Sequence, residues 1–287
     1  MGDEWAMMFE AVMQRTGTLG VTAFLLAAGL AMTTDARAAG TAWEDPAEVR
    51  ILDGGLLEDG ETRLAGLEIL LDPGWKTYWR NPGDSGIPPT LDFTGSDNLG
   101  TVAIEYPAPE LFWDGYAWSL GYSDAVVFPL IVSAADPAKP VELKIAMQYG
   151  VCKDVCIPAE AAAAMMLDGS KARRSGIDFY RARVPERIAD GAGTSVTHTN
   201  VDHGGDVPVL EIHLGLPGAE KDAFAVVEGP EGWYLPVPER AGQSAEGAKI
   251  YRMPLDGAPE GAVLSGAELR ITGVSPTYAF EQSITLD

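Results

Sequence analysis

Cys152 and Cys156 are the only cysteines in the 287-residue chain. They stand four residues apart in Tyr149-Gly-Val-Cys-Lys-Asp-Val-Cys-Ile-Pro-Ala-Glu160. Two thiols this close interconvert between dithiol and disulfide in an oxidising compartment, by exchange through a mixed disulfide. As a staple the pair is weak, because a loop of about five residues removes only roughly 2 kcal/mol of unfolded-state freedom, against about 4.7 for a hundred-residue loop. Bridged Cα atoms must lie within about 7 Å, whereas an extended span of this length is roughly 13 Å, so the chain has to turn at Lys153-Asp154-Val155. A three-residue hairpin loop between antiparallel strands satisfies this and leaves one sulfur open to an incoming thiolate. The residues alone leave three readings open: redox exchange, a small structural bridge, and a soft-metal site where Met147, Met165 and Met166 join two thiolates around Cu(I). The spacing is not C-x-x-C, so a thioredoxin-type site is not indicated. No second cysteine pair or His-x-x-x-His completes a tetrahedral zinc site. Neither a resident metal nor a cofactor is expected.

The elements that must position the pair read as strands. With 33 Gly and 20 Pro the composition favours many short strands over long helices. Runs such as Val49–Leu52, Leu67–Leu71, Thr101–Tyr106, Val126–Val132, Val141–Met147, Val209–Leu214, Phe224–Glu228, Glu268–Thr272 and Ser283–Leu286 carry apolar residues, several in period-two alternation. Pro158–Leu167 suits either a short helix with Pro in its first turn or a strand leading out of the hairpin. Ser175–Ile188 reads as an interdomain linker with a turn or more of helix, its arginines (Arg173, Arg174, Arg181, Arg183, Arg187) forming a solvated face. Strand patterning resumes near Thr194, and Leu210-Glu-Ile-His-Leu214 echoes Leu67-Glu-Ile-Leu-Leu71. The expected layout is all-β: a leader over 1–38, a first sandwich over 39–168, a linker over 169–193 and a second sandwich over 194–287. His198, His203 and His213 are scattered and are expected in loops or on the surface.

Leu19–Met32 is a 14-residue apolar run, too short to span a bilayer comfortably, followed by Ala36-Arg37-Ala38. This is expected to be a cleaved export signal. Acidic Asp3, Glu4 and Glu10 are wrong for the start of such a signal, whereas a start at Met13 gives Met-Gln-Arg, so the true start is expected at Met13. The mature chain is therefore expected outside the cytoplasm, in the periplasm. A formal charge of −22 argues against nucleic acid and anionic membrane as partners.

Two further motifs are aromatic. Trp75, Tyr78 and Trp79 precede Asn81-Pro82-Gly83 and read as core and corner residues, with Asn81 and Asp84 bonding the loop backbone. Leu111–Trp118 places Phe112, Trp113, Tyr116 and Trp118 around a Gly without strand period, as a loop that covers something. Together, Gly74–Pro89, Tyr106-Pro-Ala-Pro109, Gly121-Tyr122 and Gly150–Ala159 resemble the N-terminal periplasmic domain of the DsbD thiol:disulfide interchange family, in its ScsB-like branch. The resemblance spans roughly residues 45–167, and the C-terminal half matches only as the second sandwich found in that branch. It implies an immunoglobulin-like β-sandwich whose cysteines, here Cys152 and Cys156, take electrons from a membrane-embedded thiol donor and pass them to oxidised periplasmic disulfide proteins, cytochrome-maturation proteins among them. Asp154, Pro158 and Glu160 fit the pattern around the pair. Trp113, Tyr116 and Trp118 would be the cap over the disulfide. The chain departs from DsbD in the shorter spacing of its cysteines and in ending at Asp287 without membrane or thioredoxin-like domains, so a separate membrane partner is expected. The competing expectation is a copper-handling module that presents two thiolates. Lys153 and Asp154 would shift a neighbouring thiol in opposite directions, which leaves the order of attack open.

Overall fold

The computed structural model describes residues 45–169, 173–189, 195–216 and 222–286. The expected signal segment over 1–38 lies outside them. The first half runs β1 (Ala47–Leu56), β2 (Arg63–Leu71), β3 (Lys76–Gly83), β4 (Thr90–Asp92), β5 (Leu99–Ile104), β6 (Glu110–Trp113), β7 (Trp118–Ser123), β8 (Ala125–Ala134), β9 (Val141–Cys152) and β10 (Cys156–Leu167). These form two facing sheets, ordered β1-β2-β8-β5 and β10-β9-β3-β7-β6, with β4 also paired to β9. After α1 (Arg174–Arg181) come β11 (Glu186–Ile188), β12 (Val196–Asp202), β13 (Val209–Leu214), β14 (Phe224–Glu228), β15 (Glu239–Gln243), β16 (Lys249–Pro254), β17 (Glu268–Val274) and β18 (Ala279–Thr285). They make a second sandwich, with sheets β11-β18-β17-β14 and β12-β13-β16-β15.

Alternation explains the first core. Along β9, Val141, Leu143, Ile145, Met147, Tyr149 and Val151 point inward and are buried, while Gln148 and Cys152 point outward. β8 departs from simple alternation because both of its faces are covered. Val126, Phe128, Leu130 and Val132 fill the sandwich, and Val127 on the other face packs with Leu52, Leu64 and Ile177 of α1. Pro158–Leu167, ambiguous in sequence, is strand β10, paired residue for residue with β9 from Cys156↔Cys152 to Leu167↔Val141. As the outermost strand of its sheet it alternates between exposed and half-buried residues.

Of the segment expected as a linker over 169–193, the described residues 173–189 are built into both halves. Ile177 of α1 is fully buried against the first sandwich. β11 adds a parallel strand to the second by pairing with β18. Arg173, Arg183 and Arg187 are exposed, as a solvated face requires, but two of the arginines correct that reading: Arg174 donates to the carbonyls of Gly54 and Leu56 (3.2 and 3.0 Å), and Arg181 reaches Glu105 at 3.1 Å. Arg174 thus satisfies backbone acceptors of the first sandwich, and Arg181 forms an ion pair with it. Arg183 stacks on Phe179 at 3.5 Å, and Arg187 remains exposed. The two sandwiches also share apolar packing, since Phe224, Val226, Val237 and Val274 join the core of the first. Glu44–Asp287 accordingly form one compact unit. Among the described residues no helix is long and apolar enough to cross a membrane.

Candidate functional site

The hairpin expected at Lys153-Asp154-Val155 is the connection between β9 and β10, and it sets Cys152 directly across from Cys156 with Cα atoms 4.1 Å apart and the two sulfurs joined. The Lys153 N–H donates to the Val155 carbonyl across the turn (3.4 Å). The Lys153 ammonium donates to the Pro73 carbonyl (3.1 Å), and its stem lies over Gly74, whose φ of +83° is open to glycine. Asp154 and Val155 are exposed at the tip. Cys152 is half-buried between β10 and β3, whereas Cys156, on the edge strand, is exposed. The cysteines therefore differ in access.

A residue read from sequence as core completes the site. The Tyr78 hydroxyl lies 3.0 Å from Cys156 Sγ, although the residue is only 4% exposed. Two glycines make room for its ring: a Cβ on Gly86 would meet Tyr78 Cε1 at 2.4 Å, and one on Gly150 would meet Cδ2 at 2.9 Å. Neighbouring Thr77 locks β3 to β9 by donating from Oγ1 to the buried Gly150 carbonyl (2.9 Å). Burial, then the Asp114 carboxylate and the Tyr116 phenol, raise the Tyr78 hydroxyl above its ordinary range. It stays protonated wherever thiols titrate and so donates to sulfur. The signal that could have found it is parity. Lys76 sits opposite Cys152, so Tyr78, two residues along β3, shares that outward face. Trp75, Tyr78 and Trp79, read as core and corner residues, are all packed: Trp79 in the core (0% exposed), Trp75 against it, and Tyr78 buried. Asn81 and Asp84 do bond backbone, to Gly83 N and to Trp118 N.

Leu111–Trp118, read as a loop without strand period, is a hairpin: β6 and β7 pair up to Trp113↔Trp118, and Asp114 Oδ1 accepts the N–H groups of Tyr116 and Ala117 to close the tip. A single Asx turn at Asp114 masks the alternation on either side. Trp113 and Trp118 pack ring to ring at 5.0 Å. By parity they share the face of core residue Leu120, while Phe112 takes the outward face, where the Lys76 ammonium lies 4.1 Å from its ring. Tyr116 is 82% exposed, and with Asp114 it is the part of the hairpin that acts on Tyr78.

The methionines do not gather at the thiols. Met147 is core, and Met165 packs against the core. Met166 pairs with Glu142 at the far end of the β9–β10 ladder, ten residues from Cys156 and roughly 33 Å along the strand. Among the described residues no group of three His, Cys, Asp or Glu is placed to hold a metal ion. Of the histidines expected in loops or on the surface, His203 is exposed in the loop after β12 and His198 is exposed on β12, where it faces half-buried His213 of β13 (ring centroids 4.9 Å), whose Nε2 lies 2.7 Å from Glu211.

Residues 52–167 match the family model described as thiol:disulfide interchange protein DsbD, N-terminal. No curated protein matches the chain. Among solved structures, the N-terminal periplasmic domain of ScsB from Proteus mirabilis is similar at a TM-score of 0.62 and 20% identity, covering 84% of this chain and 91% of that one. That likeness extends the shared fold through the second sandwich. Residues 52–167, holding β2 to β10 and the Cys152–Cys156 pair, are thus a DsbD N-terminal-like domain with an immunoglobulin-like β-sandwich fold.

Proposed function

We propose that the chain carries out thiol–disulfide interchange outside the cytoplasm through Cys152 and Cys156, relaying electrons from a membrane-embedded thiol donor to oxidised proteins. The observation that carries this is Cys156, an exposed residue on an edge strand, with a buried, protonated phenol 3.0 Å from its sulfur. A staple has no need of such a donor, and a thiolate leaving group does. In the first half-reaction a donor thiolate attacks Cys156 Sγ, the Cys152–Cys156 bond breaks, and Cys152 Sγ takes the electron pair and a proton. The donor's second thiolate then attacks its own sulfur in the mixed disulfide. Cys156 is released as a thiolate that accepts the Tyr78 hydrogen bond and then a proton. The donor has become a disulfide and the protein a dithiol, with two electrons and two protons transferred. In the second half-reaction Cys156 attacks a target disulfide and Cys152 resolves the adduct. Ile87, Tyr116 and Val155, exposed around the pair, supply the apolar ground on which partners dock. Asp154 belongs to the rim of this surface, and Trp113 and Trp118 pack ring to ring at the base of the hairpin that carries Tyr116.

The test is trapping. Cys152→Ser should accumulate a reductant-sensitive adduct with a membrane protein on a non-reducing gel, and Cys156→Ser should not. Failure of both variants to trap any protein, together with a pair that resists mild dithiol in the purified chain, would sink the proposal.

A further inference from the structure

The strand that holds Tyr78 is also the strand that the second sandwich grips. Two residues on, the Arg80 guanidinium, largely buried, pairs with Glu228 of β14 (2.7 and 3.0 Å) and with Glu281 of β18. Four residues further stands Asp84. Its Oδ1 accepts the Val237 N–H of the second sandwich (3.0 Å), its Oδ2 accepts the Trp118 N–H at the base of the 113–118 hairpin (3.1 Å), and its own N–H donates to the Trp118 carbonyl (2.8 Å). Val237 is a firm anchor, 8% exposed and part of the apolar core that the sandwiches share. Gly83, at φ +82°, lets the chain lie flat on the hairpin, since a Cβ there would come within 2.7 Å of the Trp118 carbonyl oxygen. Immediately after Asp84 the chain crosses the Tyr78 ring with Gly86, and Ile87 bonds Gly150 through its carbonyl (3.2 Å). One carboxylate therefore joins three things: the 84–87 loop on one side of Tyr78, the hairpin bearing Asp114 and Tyr116 on the other, and the second sandwich.

We infer that Asp84 is a positioning residue through which the second sandwich holds both covers of the Tyr78–Cys156 pair in place, so that this sandwich sets how readily an incoming thiol reaches the disulfide. The inference rests on the exchange chemistry proposed above and gives the second sandwich a role in it. A carboxylate takes both N–H groups at once. An amide takes one and turns an NH₂ toward the other, and alanine takes neither.

The experiment uses the full oxidised chain and follows its second-order reduction by dithiothreitol, in which the reagent's two thiols become a cyclic disulfide as Cys152 and Cys156 become thiols. Reduction by the smaller 2-mercaptoethanol and the bulkier glutathione is followed in parallel. Asp84→Ala should speed reduction by dithiothreitol about tenfold, the population change that follows from losing hydrogen bonds to a charged acceptor. Asp84→Asn should give about threefold, as should Val237→Pro, which deletes the donor on the second sandwich and keeps an apolar side chain in the core there. The gain should be larger for glutathione than for 2-mercaptoethanol, a split that general loss of stability does not produce. Near-ultraviolet circular dichroism shows which variants are folded; if the alanine or proline variant is not, Asp84→Asn decides. Rates within about twofold of the native chain for the folded variants, or equal gains for small and bulky thiols, would overturn the assignment. A native chain that none of the three reagents reduces would instead overturn the exchange chemistry itself.

Discussion

Tyr78→Phe separates the hydroxyl's chemistry from the ring's packing. Phenylalanine keeps the ring wedged against Gly86 and Gly150 and removes only the group 3.0 Å from Cys156 Sγ. A hydrogen bond from a neutral donor to a thiolate that also faces water is worth about 1 to 1.5 kcal/mol, which is about one pKa unit. In a Cys152→Ser background, where Cys156 is the single thiol, the midpoint of its iodoacetamide reactivity against pH should rise by about one unit. At neutral pH the thiolate fraction then falls about tenfold while the nucleophilicity of each thiolate rises about threefold, so attack slows about threefold. The sign is fixed by the phenol. Burial and Asp114 raise its pKa, so it remains a donor from low pH up through the thiol titration and is lost only as pH climbs past its own raised value. A midpoint that stays within about 0.3 unit of the native value in a folded variant would refute the bond to the thiolate.

Gly86→Ala and Gly150→Ala should each destabilise the chain by about 2 to 3 kcal/mol in urea, because the new methyl group drives into the Tyr78 ring. Both should also raise the Cys156 midpoint by displacing that ring. Arg80→Met removes the largely buried cation that Glu228 and Glu281 share, leaving Glu281 only Arg187 and Arg270 at 3.8 Å, and chemical denaturation should show a loss of about 3 kcal/mol. Alkaline unfolding should depend on Tyr149, whose pKa is pushed up to about 12 by burial first and Asp45 second. The unfolded chain loses that proton earlier, so the stability it supplies is complete below the ordinary tyrosine range and falls as pH rises toward about 12; Tyr149→Phe should flatten that stretch of the stability curve. Replacing both cysteines with alanine should cost about 2 kcal/mol or less while abolishing exchange.

What could be read in advance follows from how local each determinant is. The Cys152–Cys156 hairpin was legible because its constraint spans five residues and needs no knowledge of the neighbours. The strands of β9 and β13 were legible because alternation against one core leaves a period-two record, and β14 because it is a short continuous apolar run buried on both faces. Pro158–Leu167 stayed ambiguous because four consecutive alanines suit helix and strand alike, and only the ladder to β9 decides between them. Tyr78 was hidden for a different reason. Its role depends on β3 lying beside β9, a neighbourhood set by residues more than seventy positions apart. Arg174 was misread likewise, since the carbonyls of Gly54 and Leu56 that it satisfies are distant in sequence.

The hairpin also explains how so weak a staple can serve as a switch. The register that sets Cys152 opposite Cys156 continues unbroken to Val141↔Leu167, and β9 is held on its other edge by β3 and β4. The ladder, not the sulfur bond, keeps the two cysteines facing each other. When the bond opens, the Cα atoms have no reason to part, and Tyr78, held by Gly86, Gly150 and the Thr77 bond to β9, stays where the released Cys156 thiolate needs it. The reduced form is therefore expected to differ from the oxidised one in little besides two electrons, two protons and one bond. The free energy of exchange is then set by the stability of the thiolate, which the phenol controls, rather than by any rearrangement of the fold.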